Sequence, residues 1–202
     1  MIRNVIFDFG DVFINLDKAA IPATFRRLGL DPDLPQFISL NKAYEIGALS
    51  DDQFLGQASS LLVLDNFELI TRIWNSILAD FPAYRLEYLE DLASKARYRL
   101  FLLSNTNALH IEHVQKQMGD VDYQRFVSCF EGFHLSHELG MRKPDSEIFE
   151  HLLNVHSLEP RETLFIDDTQ ENTAGAASLG INTWHLKVGT EDVTSLDKFL
   201  KG

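Results

Sequence analysis

The sequence predicts an α/β fold: a Rossmann-like parallel sheet core interrupted by an inserted α-helical domain. Three observations predict it. Short apolar runs at Val5–Phe7, Leu100–Leu103 and Thr163–Ile166 each lead directly into polar residues, as strands buried on both faces of a sheet do. Helical periodicity, and not hairpin turns, separates these runs, which is the pattern of βαβ units. From about Lys18 to Phe81 the helical pattern continues without a convincing strand, although the chain began with one.

Taken in order, Val5-Ile6-Phe7 runs into Asp8, and Phe9-Gly10-Asp11 forms a turn. Ligands of open α/β sheets bind at the carboxyl ends of strands, so Asp8 is read as a working group, the alternative being a turn cap. Ala19, Ala20, Ala23, Phe25 and Leu28 predict a short helix within Asp17–Gly29, ended by Gly29. Leu30–Gln36, carrying Pro32 and Pro35, reads as a loop. Ser50-Asp51-Asp52-Gln53 has the spacing of a capping box, with Phe54, Leu55, Ala58, Leu61 and Leu62 on one apolar face behind it. Leu69, Ile70, Ile73, Trp74, Ile77 and Leu78 mark the next helix. Stripes of this kind are far more often core than ligand contacts, and they are assigned to packing.

A helix through Leu86, Leu89, Leu92, Ala93 and Ala96 precedes the Leu100 strand, which ends in Ser104-Asn105-Thr106-Asn107. A helix through Ile111, Val114 and Met118 follows, and then a weaker strand at Phe133–Ser136. His137 to Pro144 leads into a helix bearing Ile148, Phe149, Leu152 and Leu153. Thr163–Ile166 runs into Asp167-Asp168 and an alanine-rich helix, Asn172–Leu179, stopped by Gly180. A strand at Asn182–Leu186 and a helix near Ser195–Leu200 complete the series. Residues 1–15 and 92–202 are thus expected to form the α/β core, and residues 16–91 the helical insertion.

A formal net charge of -12, spread along the chain with the basic residues scattered, argues against nucleic acid or an anionic membrane as partner. No stretch is long enough to span a bilayer, and the apolar run in MIRNVIFDFG is too short for a signal peptide. The single cysteine, Cys129, excludes an internal disulfide, and no Asn-x-Ser/Thr acceptor occurs; both fit a reducing cytoplasm. A small-molecule ligand is the expectation, and the oligomeric state is not encoded in any visible pattern.

Gathered at one sheet edge, the strand-end groups are Asp8, Ser104 with Asn105, Lys143, and Asp167 with Asp168. Carboxylates brought together there repel, by about 4 kcal/mol for a pair ~4 Å apart at an effective dielectric of ~20. A hard divalent cation resolves this, and Mg²⁺ is the expected one, since it is held by one or two carboxylates plus substrate phosphate and water. A nucleophilic carboxylate, a hydroxyl, a lysine and a metal-binding carboxylate pair are the parts that phosphoryl transfer through an aspartyl-phosphate needs. Asp8 would attack phosphorus, Ser104 would donate to a phosphate oxygen, and Lys143 would balance charge on the phosphate and on Asp8.

The order strand-Asp8, strand-Ser104, Arg142-Lys143-Pro144-Asp145, strand-Asp167-Asp168 resembles the four motifs of the haloacid dehalogenase superfamily over essentially the whole chain. The position of the insertion resembles that superfamily's C1 cap. Tyr44-Glu45-Ile46-Gly47, Ser50–Phe54 and Trp74–Pro82 are similar to segments of its sugar-phosphate phosphatases, notably α-glucose-1-phosphate phosphatase-like members. The resemblance implies a Mg²⁺-dependent phosphomonoester hydrolase acting on a small phosphorylated metabolite, a sugar phosphate foremost. Asp8 then corresponds to the nucleophile and metal ligand, Ser104 to the phosphate-binding hydroxyl, Lys143 to the motif lysine, and Asp168 to the second metal carboxylate, with Asp167 acting through a metal-bound water.

Phosphatases of the superfamily usually carry a second Asp two residues after the nucleophile as general acid and base, where this chain has Gly10. The metal contact from that position is a backbone carbonyl, which glycine keeps. Proton donation is lost, a factor of roughly 10² to 10⁴ for a good general acid. Asp11, a cap residue or solvent is the expected donor in its place. Two other functions share these parts. A 2-haloacid dehalogenase would use Asp8 without metal, against which the Asp167-Asp168 pair argues, and a phosphate-binding module would have lost turnover through Gly10.

Among the remaining polar residues, His110/His113 and His134/His137 lack the further partners a zinc site needs. Thr106 or Asn107 suits a helix N-cap, Asn105 a backbone-mediated phosphate contact, Asn172 support for Asp167-Asp168, and Cys129 a small buried hydrophobe.

Overall fold

The computed structural model describes residues 1–31 and 33–200. Pro32, assigned above to a loop, and residues 201 and 202 of the expected core lie outside the described residues. Five strands, β1 (Asn4–Phe7), β2 (Arg99–Ser104), β3 (Gly132–Leu135), β4 (Thr163–Asp167) and β5 (Asn182–His185), pair in parallel in the order β3-β2-β1-β4-β5. β1 is therefore central, and the strand order reverses between β1 and β4. That reversal opens a crevice at the strands' carboxyl ends.

Ten helices accompany the strands among the described residues. α1 (Ala20–Arg27), α2 (Pro35–Glu45), α3 (Asp51–Leu62) and α4 (Phe67–Asn75) lie between β1 and β2, with α5 (Ala83–Ser94) leading into β2. α6 (Ala108–Met118) and α7 (Asp120–Ser128) precede β3; α8 (Ser136–Leu139) and α9 (Ser146–His156) precede β4; α10 (Gln170–Ser178) precedes β5.

Strand alternation sorts the apolar side chains into two layers. Val5, Phe7, Leu100, Leu102, Leu164 and Ile166 join Leu86, Leu89 and Leu92 of α5, Val114 of α6 and Phe126 of α7 in one cluster. Ile6, Phe101, Leu103 and Phe165 face Ile148, Phe149 and Leu152 of α9 and Ala176 of α10 in the other. α1 to α4 build a third core from Phe25, Phe37, Tyr44, Phe54, Ile70 and Trp74, joined by Leu109 of α6. Phe25 and Phe54 are 0% exposed there, and each contributes roughly 1.5–3 kcal/mol by leaving water. The capping box at Ser50 forms as its spacing predicts, with Gln53 N donating to Ser50 Oγ and Ser50 N donating to Gln53 Oε1.

Three helices have no counterpart among the expected elements: α8, a single turn that takes over Ser136 from the end of the expected strand, and α2 and α7. α2 begins at Pro35, which the loop reading counted as a breaker; at the first position of a helix proline loses nothing, because its missing N–H would be unpaired there anyway. α7 buries only Tyr123 and Phe126, too few apolar residues to show a period. The expected C-terminal helix is a 3₁₀ segment over Val193–Lys198, whose Val193 and Leu196 pack into the sheet core. No described helix is long and apolar enough to cross a membrane.

Candidate active site

Asp8 follows the last residue of β1, and its backbone N–H donates to Ile166 O at 2.8 Å, extending the ladder with β4. The bond sets Asp8 beside Asp167 and Asp168. One oxygen of each of these three residues lies within 4.8 Å of the others, and among the described residues no other cluster of three potential ligands is so disposed. Asp8, Gly10, Asn105, Arg142, Lys143 and Asp168 line one cavity of about 390 Å³. A larger groove, between α2 and α3, contains none of them.

Lys143 is 1% exposed and spends its ammonium on Asp8 Oδ1 at 2.7 Å, Asp167 Oδ2 at 2.7 Å and Leu103 O at 2.8 Å. Burial works to lower its pKa, but Asp167 and Asp8 outweigh burial and hold it above the ordinary lysine range. Asp167 is filled as well. Its Oδ1 accepts from Thr169 N and Asn172 Nδ2, and its Oδ2 from Lys143 and Asn172. Asp8 differs: its Oδ2 accepts no hydrogen bond from any described residue. Burial pushes the Asp8 carboxyl up, Lys143 pulls it down, and Asp167 and Asp168 push it up again, to about 7.

Ser104 closes β2 and is 3% exposed, with its Oγ unclaimed by any described residue. Asn105 has a role the sequence did not suggest. Its Nδ2 donates to Lys143 O and its Oδ1 accepts from Lys143 N, both at 2.9 Å, so the side chain ties the end of β2 to the lysine loop. Asn107 caps α6 by accepting from His110 N, as anticipated for Thr106 or Asn107, while Thr106 is tied through its backbone to Ser136.

Asp11 sits at positive φ (55°), with Oδ1 accepting from Leu16 N at 2.9 Å and Oδ2 paired with Lys18 at 2.8 Å. It borders a separate cavity with Asn15 and Arg85. Lys18, just ahead of α1, also reaches Asp168 Oδ2 at 2.5 Å, a link across the fold that no periodicity announces. Four carboxylates, Asp8, Asp11, Asp167 and Asp168, thus meet two ammonium groups, Lys18 and Lys143. Two negative charges are left over. An all-oxygen donor set with that residual charge fits a hard divalent cation such as Mg²⁺.

Gly10 lines the cavity, and a Cβ built on it would lie 2.8 Å from Leu16 Cδ1. The end of the Leu16 side chain would have to move for a side chain to stand at this position. Among the histidines, His134 and His156 share a 2.8 Å Nε2–Nε2 contact, His110 stacks on Trp74, and His185 Nε2 lies 2.9 Å from Asp168 O.

Comparison with known proteins identifies the family. The haloacid dehalogenase-like hydrolase family matches residues 2–180. D-ribitol-5-phosphate phosphatase of Bacteroides thetaiotaomicron is 28% identical over 197 residues, 95% of each chain. A wild-type HAD family enzyme of the same organism, solved with magnesium and inorganic phosphate, superposes with a TM-score of 0.79 at 31% identity over 95% of this chain and 97% of that one. A HAD-like hydrolase of Porphyromonas gingivalis gives a TM-score of 0.87 at 27% identity, covering 100% and 99%. Motif order, sheet order and family match converge, and the chain belongs to the haloacid dehalogenase-like hydrolases.

Proposed function

We propose that this chain hydrolyses phosphomonoesters of small hydroxylated metabolites, sugar or sugar-alcohol phosphates foremost, through an aspartyl-phosphate on Asp8. The observation that carries the reading is the free Oδ2 of Asp8, a cavity-lining residue in a group where four carboxylates meet two ammonium groups. D-ribitol-5-phosphate phosphatase and the phosphate-bound neighbour support it at similar overall architecture.

Asp8, Asp168 and the Gly10 backbone carbonyl would hold Mg²⁺, with Asp167 reaching it through water. Bound there, the ion would cancel the excess negative charge and polarise the phosphoryl group. Asp8 Oδ2 attacks phosphorus, the bond from phosphorus to the ester oxygen breaks, and the leaving alkoxide takes up a proton. Lys143 holds Asp8 Oδ1, which orients the attacking oxygen and works against burial in favour of the ionised carboxylate. Ser104 Oγ donates to a phosphoryl oxygen. Water then attacks phosphorus, the bond from phosphorus to Asp8 breaks, and inorganic phosphate leaves.

Because both Asp11 oxygens are engaged, we assign Asp11 to shaping the turn and holding Lys18, and leave protonation of the leaving group to solvent. Asp11→Asn with unchanged pH dependence of kcat would agree; loss of its acidic or basic limb would return the proton to Asp11. A metal-free dehalogenase would have to tolerate the two surplus charges beside a carboxylate substrate.

The cap proper is drawn as α1 to α4, and α5, which buries Leu86, Leu89 and Leu92 in the sheet core, is counted with the core. A reducing compartment such as the cytoplasm suits the lone Cys129. Phosphate release from a panel of phosphomonoesters tests the reading. Activity with Mg²⁺, loss in chelator and loss in Asp8→Asn are expected, and fluoride release from haloacetate in chelator would overturn it.

A further inference from the structure

Each cation at this site already has a carboxylate. Lys143 serves Asp8 and Asp167, and Lys18 serves Asp11 and Asp168. The third cation, Arg142, lines the cavity from the residue before Lys143, but its side chain turns to the cap. Its Nε and Nη2 both bind Glu45 Oε2 at 3.0 Å, with the side chains 24% and 16% exposed. Glu45 is the last residue of α2, and its Oε1 accepts from Asn41 at 3.3 Å. Arg142 Nη1 has no partner among the described residues. Glu171, on the first turn of α10, lines the same cavity, is exposed, and has no cation beside it among the described residues.

Resting on the phosphatase reading, we infer that the Glu45–Arg142 pair sets leaving-group specificity by charge: Arg142 offers hydrogen bonds from Nη1 to hydroxyls, while Glu45 cancels the charge that would otherwise attract a second anion. With Glu171 adding negative potential, an ester whose leaving group carries a carboxylate or second phosphate is rejected. A neutral, hydroxyl-bearing leaving group is accepted. The specificity is supplied by the cap, because Glu45 reaches the core only with the cap docked.

Matched substrate pairs test this: glycerol 3-phosphate against 3-phosphoglycerate, and ribitol 5-phosphate against 5-phosphoribonate, each pair exchanging a neutral hydroxymethyl for a carboxylate. The readout is the ratio of kcat/KM, neutral over anionic, in saturating Mg²⁺. Wild type is expected to favour the neutral member by about tenfold or more, the scale of one like-charge contact near a protein surface. Glu45→Gln, which bares the arginine, should lower the ratio about tenfold. Glu45→Gln combined with Arg142→Gln restores the charge balance and should bring the ratio back to within roughly threefold of wild type. Glu171→Gln, at an exposed position where folding is not at stake, should move the ratio the same way as Glu45→Gln by a smaller factor.

A merely structural latch would lower the melting temperature in both Glu45→Gln and the double variant and leave the ratio alone, and that result overturns the inference. Wild type preferring the anionic members also overturns it. Should wild type hydrolyse p-nitrophenyl phosphate in Mg²⁺ yet show a ratio near unity, the charge filter fails and the phosphatase reading stands. No turnover of any phosphomonoester fails both.

Discussion

At the scale of single residues, the most consequential feature is a side chain that is absent. Gly10 leaves the turn after Asp8 without an acid, and Leu16 Cδ1 crowds the point where a side chain would begin. A Gly10→Asp change alone would press on Leu16, so little gain in rate is expected from it. With Leu16→Ala the acid has room, and kcat for alkyl phosphates should rise by roughly 10-fold or more, within the range that general acids supply. Steady-state kinetics on esters with poor and good leaving groups checks this, because only the poor ones need the proton. Asn105 makes a second case. Its paired 2.9 Å bonds to the Lys143 backbone hold the lysine loop against β2. Asn105→Ala should lower kcat about 10- to 100-fold through misplacement of Lys143 and cost about 1–3 kcal/mol of stability in denaturant titration. The strand-end carboxylates, Ser104 and Lys143 were legible in the sequence because each follows an apolar run or sits in a contiguous motif. Leu16 over Gly10, the Asn105 clamp and Lys18 on Asp168 were not, since each is a contact made across a turn or between elements.

At the scale of elements, the helices inserted between β1 and β2 meet the rest of the molecule at positions that demand particular residues. Gly47, just past α2, has φ of 66°, and a Cβ there would lie 2.1 Å from His137 O. Both the backbone and the space demand glycine. Gly47→Ala should destabilise the packing of α1 to α4 against α8 by about 1–3 kcal/mol, seen as faster proteolysis within α1 to α4 and a lower melting temperature. His110 of α6 stacks on Trp74 of α4 with ring centroids 5.1 Å apart, and its Nε2 lies 3.3 Å from Trp74 O. Burial lowers its pKa to about 4. The folded protein therefore holds the neutral ring that the unfolded chain would protonate below about 6.5. Stability from this group is present above that value and is lost as pH falls toward 4, by up to about 3 kcal/mol. Melting temperatures measured from pH 7 to pH 4 should decline, and His110→Phe should flatten the decline. α2 was missed from sequence for a related reason: Pro32 and Pro35 look like breakers until one sees that Pro35 occupies the first turn of a helix, where proline is tolerated.

At the scale of the whole molecule, the topology was legible because a parallel sheet buries both faces of its strands, and continuous apolar runs separated by helices admit few other arrangements. The strand order was a different matter, since β1 lies between β2 and β4 through pairings that no local pattern encodes. That order creates the charge problem at the crevice. It brings Asp8 next to Asp167 and Asp168 and supplies too few cations, so the folded state bears electrostatic strain that the unfolded chain, with these groups far apart, does not. A divalent cation that binds only the folded arrangement should therefore stabilise it by mass action, about 2.7 kcal/mol at a hundred times its Kd. For a chain of this size that corresponds to a rise of roughly 5–10 °C in melting temperature. Differential scanning fluorimetry with Mg²⁺, against chelator and against an equal ionic strength of sodium chloride, separates specific binding from screening. Asp168→Asn should abolish most of the Mg²⁺-induced rise, whereas Asp91→Asn, on α5 with its carboxylate paired to the exposed Lys95 just past that helix, should keep it. Equal shifts in sodium chloride and in Mg²⁺ would mean that the surplus charge is merely screened, and the divalent site would have to be given up.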